Sequence, residues 1–310
     1  MNDVYSLDDL HHWEGCGGAA LDPPARLAVL GHPVAHSRSP QLHNPALAAC
    51  HLGMQYIRID VPEGAVPEAL ARIRALGFVG TNVTVPHKFA AMEAMDFVDP
   101  AARRLGAVNT VVFEGDQMLG FNTDGPGFVR AVREEFAVDV GDLRVLVLGA
   151  GGGAGRAVAV QCAAEGCERL VLANRTIEKA EALAAELLPA FVGDRLLGPS
   201  ERLAAIGMAP AALRLEIGEI DLVVNATSIG MKRTDPDLLP ESFLQAHHLV
   251  YDMIYSPPRT RLVAAATAAG ARAANGLSML VHQGAISFEH WFDRPAPLAV
   301  MRRGARDSPA

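Results

Sequence analysis

The chain has 310 residues, half of them hydrophobic and a fifth charged, with a formal net charge of -8. That length exceeds what one hydrophobic core usually organises, so two domains are expected, and the composition supports sizeable cores without disulfide or metal staples. The acidic balance, with acids and bases mixed along the chain, argues against nucleic acid as a bulk partner, because phosphate backbones need a basic face.

Residues 1–25 read as a partly ordered extension ending at Asp22-Pro23-Pro24. They carry Asp3, Asp8, Asp9 and Glu14 and lack the basic and apolar regions of a signal peptide. Cys16, Cys50, Cys162 and Cys167 form no C-x-x-C pair, so a reducing cytoplasm is the expected setting. No apolar run is long enough to cross a bilayer. Residues 26–30 predict a buried strand stopped by Gly31-His32-Pro33, and Ser39-Pro40 opens a helix through residue 50. Residues 54–61 predict a second strand, and 67–76 an amphipathic helix closed by Gly77. Residues 78–85 predict a third strand, stopped by Pro86. Alternating strands and helices predict a parallel α/β sheet. Later strands are expected at 107–113 and 118–121. A second βαβ series starts at Leu143, with strands near 144–148, 169–173, 222–225, 249–252 and 272–274, and a mostly apolar helix over 277–292. The stretch 190–220 reads as loop-like, and the tail after Arg302 as frayed.

The most informative local pattern is Val145-Leu146-Val147-Leu148 followed by Gly149-Ala150-Gly151-Gly152-Gly153-Ala154-Gly155-Arg156. A buried strand feeds a glycine-rich turn and then a helix, with another strand beyond. Glycines allow the tight turn and let backbone N–H groups approach a pyrophosphate at the helix N-terminus. The next strand ends at Asn174-Arg175-Thr176. An NAD site usually places an acid there for the ribose hydroxyls. Arg175 instead suits a 2′-phosphate, with Lys179 or Arg156 able to assist, so NADP is the expected cofactor.

Polar side chains gather at three other strand ends: Gly31 to Asn44 with Ser37 and Ser39; Gly80 to Lys88 with Asn82 and Thr84; and Gly106 to Thr110 with Asn109, followed by Asn122-Thr123-Asp124-Gly125. Such loops bind ligands in parallel sheets, and these residue types suit a substrate with several hydroxyls. His32, His36 and His43 share no Cys, Asp or Glu, so no metal is expected, and they are read as hydrogen-bonded structural histidines. Met92 and Met95, with Phe89, read as a helix core face.

Those stretches resemble the HSxSP, NVTxPxK and AVNT…NTDG motifs of the shikimate dehydrogenase family. Asn225-Ala226-Thr227-Ser228-Ile229-Gly230-Met231, Tyr251 to Tyr255 and Asn275 to Gly284 match it too, so the resemblance runs from about Leu27 to Trp291. It implies an α/β enzyme of two domains, an open substrate domain and a Rossmann-type NADP-binding domain with a central cleft. The expected boundaries are an extension at 1–25, a substrate domain of 26–124 plus 277–310, and a cofactor domain of 125–276. It implies NADPH-dependent reduction of 3-dehydroshikimate to shikimate in aromatic amino-acid biosynthesis. By residue, it implies that Ser37 and Ser39 hold the substrate carboxylate and that Thr84, Asn109 and Gln283 hold its hydroxyls. Lys88 and Asp124 form the catalytic pair, Tyr255 closes the substrate site, and Gly276 and Met279 border the nicotinamide. The cofactor is expected on Gly149 to Ala154, Asn174, Arg175, Thr176, Thr227 and Ser228. Reduction of a ketone needs a proton on its oxygen, which a Lys–Asp pair can deliver; either member can be the formal donor.

Three departures and alternatives accompany the resemblance. The glycine loop is one residue longer than the common GAGGAxR form. A quinate/shikimate dehydrogenase using NAD is the nearest rival, against which Arg175 and the paired serines weigh. A non-catalytic metabolite-binding paralogue is a different class, opposed by Lys88 and Asp124. A monomer or homodimer acting on a small molecule, without nucleic acid or membrane, is expected.

Overall fold

A computed structural model describes residues 4–192 and 202–306. The chain divides into two compact units. One is built on residues up to Thr123 and from Val281 onward; the other is Asp124–Leu280.

The first unit holds β1 (Tyr5–Ser6), β2 (Ala25–Gly31), β3 (Gln55–Asp60), β4 (Gly80–Val83), β5 (Phe97–Val98), β6 (Thr110–Glu114) and β7 (Gln117–Phe121). They form one sheet in the order β1-β3-β2-β4-β6-β7-β5. β1, β3, β2 and β4 run parallel, which the alternation of strands and helices predicts for β2, β3 and β4. β6 is antiparallel to β4, and also to β7, to which a tight turn with Gly115 at φ +56 joins it. The sheet is therefore mixed.

Residues 5–21, expected as a partly ordered extension, are integral to this unit. β1 pairs Tyr5 with Ile59 on β3. Helix Leu7–His11 starts with a capping box between Ser6 and Asp9. Leu10 and Trp13 are buried in the same core as Ile59 and Leu70. At the other end, the tail expected to fray after Arg302 is helical over Leu298–Arg306. Met301 and Ala305 lie one turn apart and fully buried; residues 307–310 lie outside the described residues. Phe89 is 53% exposed and stands off the core face expected for it, whereas Met92 and Met95 pack against the core.

The second unit holds β8 (Arg144–Leu148), β9 (Arg169–Asn174), β10 (Leu203–Gly207), β11 (Leu222–Asn225), β12 (Leu249–Asp252) and β13 (Arg272–Asn275). All pairings are parallel, in the order β10-β9-β8-β11-β12-β13. Four strands with buried centres of Val, Leu and Ala, joined in β12 by Tyr251, explain the near-continuous apolar runs. The direction of succession reverses between β8 and β11, and ligands of such sheets bind beyond the carboxyl ends of the strands at that reversal. The 190–220 stretch, expected as loop, contains β10 and the helix Pro210–Ile217; its residues 193–201 lie outside the described residues. Among the described residues no helix is long and apolar enough to cross a membrane.

Candidate functional site

The second unit presents a cavity of about 410 Å³ where the sheet order reverses. Its floor is the turn after β8. Gly149 sits at φ +87, and a Cβ there would lie 2.7 Å from Thr227 Cγ2, so only glycine fits the turn. A Cβ on Gly151 would lie 2.8 Å from both Asn174 Nδ2 and Lys179 Cβ. One on Gly155 would overlap the Gly149 carbonyl, which is how the helix Gly153–Ala164 approaches its strand so closely. Gly153 meets nothing within 4 Å and Gly152 only the Gly149 carbonyl at 3.6 Å, so the fold itself leaves these two positions open.

Of the residues that the sequence assigns to a dinucleotide, Gly149, Gly151, Gly152, Asn174, Arg175, Thr176, Thr227 and Ser228 line this cavity. Asn174 organises its rim, accepting the Gly151 N–H at 3.3 Å and donating to the Thr176 carbonyl at 2.8 Å. Arg175 is exposed at the tip of β9 with Lys179 in the same wall, and among the described residues no acid lines the cavity. Ala150 is buried and, with Gly151 and Lys179, lines an adjoining cavity of about 230 Å³. Gly153 and Ala154 open the helix and are exposed beside the cavity without lining it.

One expectation shifts. Arg156 forks onto Glu186 at 2.7 and 2.8 Å, which places its guanidinium in a helix–helix ion pair and pulls the Glu186 carboxyl below its usual range. Arg175 and Lys179 are thus the cations of the cavity wall. Met279 is buried with its N–H on the Tyr251 hydroxyl at 3.0 Å, and a Cβ on Gly276 would overlap the Met253 carbonyl. Neither Gly276 nor Met279 lines the cavity. Met208 does, and sequence reasoning missed it because it follows β10 inside the stretch read as loop.

The first unit gathers its polar residues at the carboxyl ends of β2 and β4. The loops after the two strands meet: His32 N–H donates to the Val85 carbonyl at 3.1 Å and Thr84 N–H to the Leu30 carbonyl at 2.8 Å. Ser37 Oγ lies 3.2 Å from Ser39 Oγ at the start of the helix Ser39–Ala49. Arg58 fixes that loop, donating from Nε to the Ser37 carbonyl at 2.8 Å and from Nη2 to Gln41 Oε1 at 3.0 Å. Lys88, half-buried, begins the helix Lys88–Glu93, and its carbonyl accepts the Val108 N–H at 3.0 Å.

Beneath these groups lies a buried amide–hydroxyl network. Asn82 Oδ1 accepts the Tyr56 hydroxyl at 2.7 Å, while Asn82 Nδ2 donates to the Asn109 carbonyl, Thr110 Oγ1 and Ser287 Oγ at 3.0–3.1 Å. Asn109 Oδ1 accepts the Thr123 N–H at 2.8 Å, and Asn109 Nδ2 donates to Thr123 Oγ1 at 3.0 Å. The network therefore fixes Asn109 from both ends of its side chain. Gln283 is half-buried on the helix Leu277–Phe292, its carbonyl accepting Ser287 Oγ at 3.0 Å. Burial pushes the Tyr56 phenol well above its usual range, so it is a permanent donor here.

The histidines divide. His32 Nδ1 meets Asp60 Oδ1 at 2.5 Å and His87 Nε2 the Val61 carbonyl at 2.7 Å. His43, expected to be hydrogen-bonded, has no partner for either ring nitrogen among the described residues. It stacks on Tyr56 at 4.6 Å, and burial lowers its pKa to about 3, so it stays neutral. Among the described residues no three His, Cys, Asp or Glu side chains converge as a metal site.

In the second unit, Asp124 opens the helix Asp124–Phe136 and is half-buried. Tyr255, also half-buried, lies in the loop after β12.

A family described as "Shikimate dehydrogenase substrate binding domain" matches residues 29–111, "Shikimate / quinate 5-dehydrogenase" matches 131–197, and "Shikimate 5'-dehydrogenase C-terminal domain" matches 276–305. The chain is 46% identical to a shikimate dehydrogenase (NADP+) of Moorella thermoacetica, over 91% of this chain and 92% of the relative. It is 43% identical to one from Methanopyrus kandleri, over 89% and 93%. Among solved structures, it is similar to shikimate 5-dehydrogenase of Thermus thermophilus in complex with NADP(H) and shikimate, with 37% identity, a TM-score of 0.78 and coverage of 91% and 98%. It is also similar to quinate dehydrogenase of Corynebacterium glutamicum in complex with NAD, with 30% identity, a TM-score of 0.78 and coverage of 90% and 97%.

Proposed function

The chain belongs to the shikimate dehydrogenase family, and from that membership we propose that it reduces 3-dehydroshikimate reversibly to shikimate with NADPH, in the pathway to the aromatic amino acids. The observation that carries the cofactor half is Arg175 on the wall of a glycine-floored cavity that no acid among the described residues lines. That wall suits a 2′-phosphate and opposes the NAD-using quinate reading, even though the fold is equally like a quinate dehydrogenase.

The glycine cradle fits a dinucleotide: Gly149, Gly151 and Gly155 pack too closely on their protein neighbours to carry a side chain, and Gly152 and Gly153 leave the start of the helix uncovered for phosphates. We assign the pyrophosphate to the turn of Gly149 to Ala154, the adenosine end to Asn174, Arg175 and Thr176, and the nicotinamide end to Thr227, Ser228, Gly276 and Met279. When bound, NADPH supplies the hydride.

The remaining chemistry falls to side chains. Ser37 and Ser39 donate to the substrate carboxylate, supported by their 3.2 Å spacing at a helix start. Thr84, Asn109 and Gln283 orient hydroxyls, and Tyr255 closes the substrate site. Lys88 and Asp124 deliver the proton that the ketone oxygen gains as its carbon takes hydride, and they stabilise charge on that oxygen. The assigned residues all come from one chain, so a monomer or a homodimer satisfies the reading. The four cysteines form no C-x-x-C pair, and on that pattern we place the enzyme in the cytoplasm.

The test of these roles is Lys88→Ala. Shikimate binding should remain measurable by calorimetry while turnover falls by about a hundredfold or more. Turnover at the parent rate removes Lys88 from the proton path.

A further inference from the structure

Asp252 is the last residue of β12, and it is fully buried. Its carboxylate accepts three hydrogen bonds. Oδ1 takes the Asn225 Nδ2 at 2.9 Å and the Ile254 N–H at 3.1 Å, and Oδ2 takes the Thr260 hydroxyl at 2.5 Å. Each side-chain donor has a second duty. Asn225, also fully buried at the end of β11, accepts both the Thr227 N–H (2.9 Å) and the Thr227 hydroxyl (2.8 Å) on Oδ1, and it donates to the Ile229 carbonyl at 3.2 Å. Thr227 Oγ1 in turn accepts the Ile229 N–H at 3.0 Å. Thr260 Oγ1 accepts the Val263 N–H at 3.2 Å and so caps the helix Arg261–Ala268.

The chain of bonds Thr260–Asp252–Asn225–Thr227 therefore joins two loops at the carboxyl edge of the sheet. The loop after β11 carries Thr227 and Ser228 into the nucleotide cavity. The loop after β12 carries Tyr255. The second loop is also tied to the end of β13, where Asn275 Nδ2 donates to the Pro258 carbonyl at 2.7 Å and Gly276 N–H to the Ile254 carbonyl at 3.2 Å.

We propose that Asp252 is a positioning residue that sets the cofactor loop 226–230 and the Tyr255 loop 253–260 in one fixed arrangement through Asn225 and Thr260. The proposal rests on the assignment of Thr227 and Ser228 to the cofactor and of Tyr255 to the substrate. A carboxylate suits the task because all three neighbours present donors. An amide of the same shape must turn an N–H toward one of them. Burial pushes the Asp252 pKa up while the Thr260, Ile254 and Asn225 bonds hold it down. A buried carboxyl is a costly group to keep, and a well-packed apolar side chain would serve stability alone better.

The test compares wild type, Asp252→Asn, Thr260→Val and Thr260→Ser. The readouts are the NADP+ Kd, by fluorescence titration, and the kcat and KM for shikimate. Asp252→Asn is expected to weaken NADP+ binding, raise the KM for shikimate and lower kcat/KM by about tenfold to a hundredfold, the scale of a small misplacement in a site. Thr260→Val should move in the same direction, and Thr260→Ser, which keeps the hydroxyl, should stay near wild type. A merely structural role would lower the active fraction and leave Kd and KM unchanged. Kd and KM at wild-type values in Asp252→Asn overturn the proposal, as does Thr260→Ser as impaired as Thr260→Val. If Asp252→Asn does not fold, the Thr260 pair decides. A wild type inert toward shikimate removes the proposed substrate instead, and the NADP+ Kd comparison still decides whether Asp252 orders the cofactor loop.

Discussion

Arg175→Ala is the change whose consequence can be worked furthest from the structure. Arg175 and Lys179 are the cations in the wall of the nucleotide cavity, and Arg156, the third nearby cation of the sequence, is forked onto Glu186. A charge-assisted hydrogen bond to a phosphate is worth about 1.5–3 kcal/mol, and each 1.4 kcal/mol is a factor of about ten in affinity. Arg175 is exposed, so solvent screening favours the lower half of that range. The KM for NADP+ should therefore rise about tenfold to fortyfold, and the KM for NAD+, which has no 2′-phosphate, should not change. Arg156→Ala is the internal control. Its ion pair is partly exposed, 26% on the Arg156 side chain and 47% on Glu186. Its loss should cost about 0.2–1 kcal/mol of stability and leave cofactor preference alone. Initial rates at varied NADP+ and NAD+ for both variants decide the matter. Equal losses for the two cofactors in Arg175→Ala, or a shift of preference in Arg156→Ala, would refute the reasoning.

Two further expectations concern the scaffold. Tyr56→Phe removes the donor to buried Asn82 Oδ1 and should cost about 1–3 kcal/mol in urea unfolding, the range for stranding a buried acceptor; a loss under about 0.3 kcal/mol would mean that the network is not organised as described. Asp221→Asn addresses pH. Arg144 holds the Asp221 carboxyl below its usual range, chiefly through the side-chain hydrogen bond at 2.7–2.9 Å. A depressed carboxyl contributes stability above its unfolded pKa of about 3.9 and loses it as pH falls through the folded value. Because the pair is about a third exposed, the variant should be less stable than wild type by about 1 kcal/mol at neutral pH. The two curves should converge in the acid range; a gap that persists there would mean that the carboxylate charge is not the cause.

The parts of the fold that sequence made legible are those where one local rule dominates. The turn after β8 is such a case, because positive φ and backbone crowding leave few residues but glycine at 149, 151 and 155. The parallel strands of the second unit are another, since burial on both faces writes continuous apolar runs. β1 was not legible: a two-residue strand has no periodicity, and its existence depends on pairing with β3, about fifty residues away along the chain. β10 is a half-buried edge strand whose alanines carry little strand signal. The helix Leu298–Arg306 is hidden by its own polarity, because Arg302, Arg303 and Arg306 mask the buried stripe of Met301 and Ala305.

For the site, the residues assigned to the phosphates and the ribose were legible because motif and topology coincide. Arg156 shows the limit of a motif: its charge was visible, but its partner Glu186, thirty residues on, was not. His43 shows another, since three nearby histidines suggest hydrogen bonding or metal, and only packing shows one of them neutral and stacked on Tyr56. Asp252 sits in a recognisable stretch, yet its three donors come from the end of β11 and from the loop after β12, which only the fold brings together.

The central claim is that this enzyme oxidises shikimate with NADP+. Its most direct test is one set of initial rates for the purified protein, with NADP+ and NAD+ each offered against shikimate and quinate, following reduced nicotinamide by absorbance. The account predicts that the NADP+ and shikimate combination has the highest kcat/KM, by about tenfold or more over the same acid with NAD+. Quinate with NAD+ turning over as well as shikimate with NADP+ would contradict it.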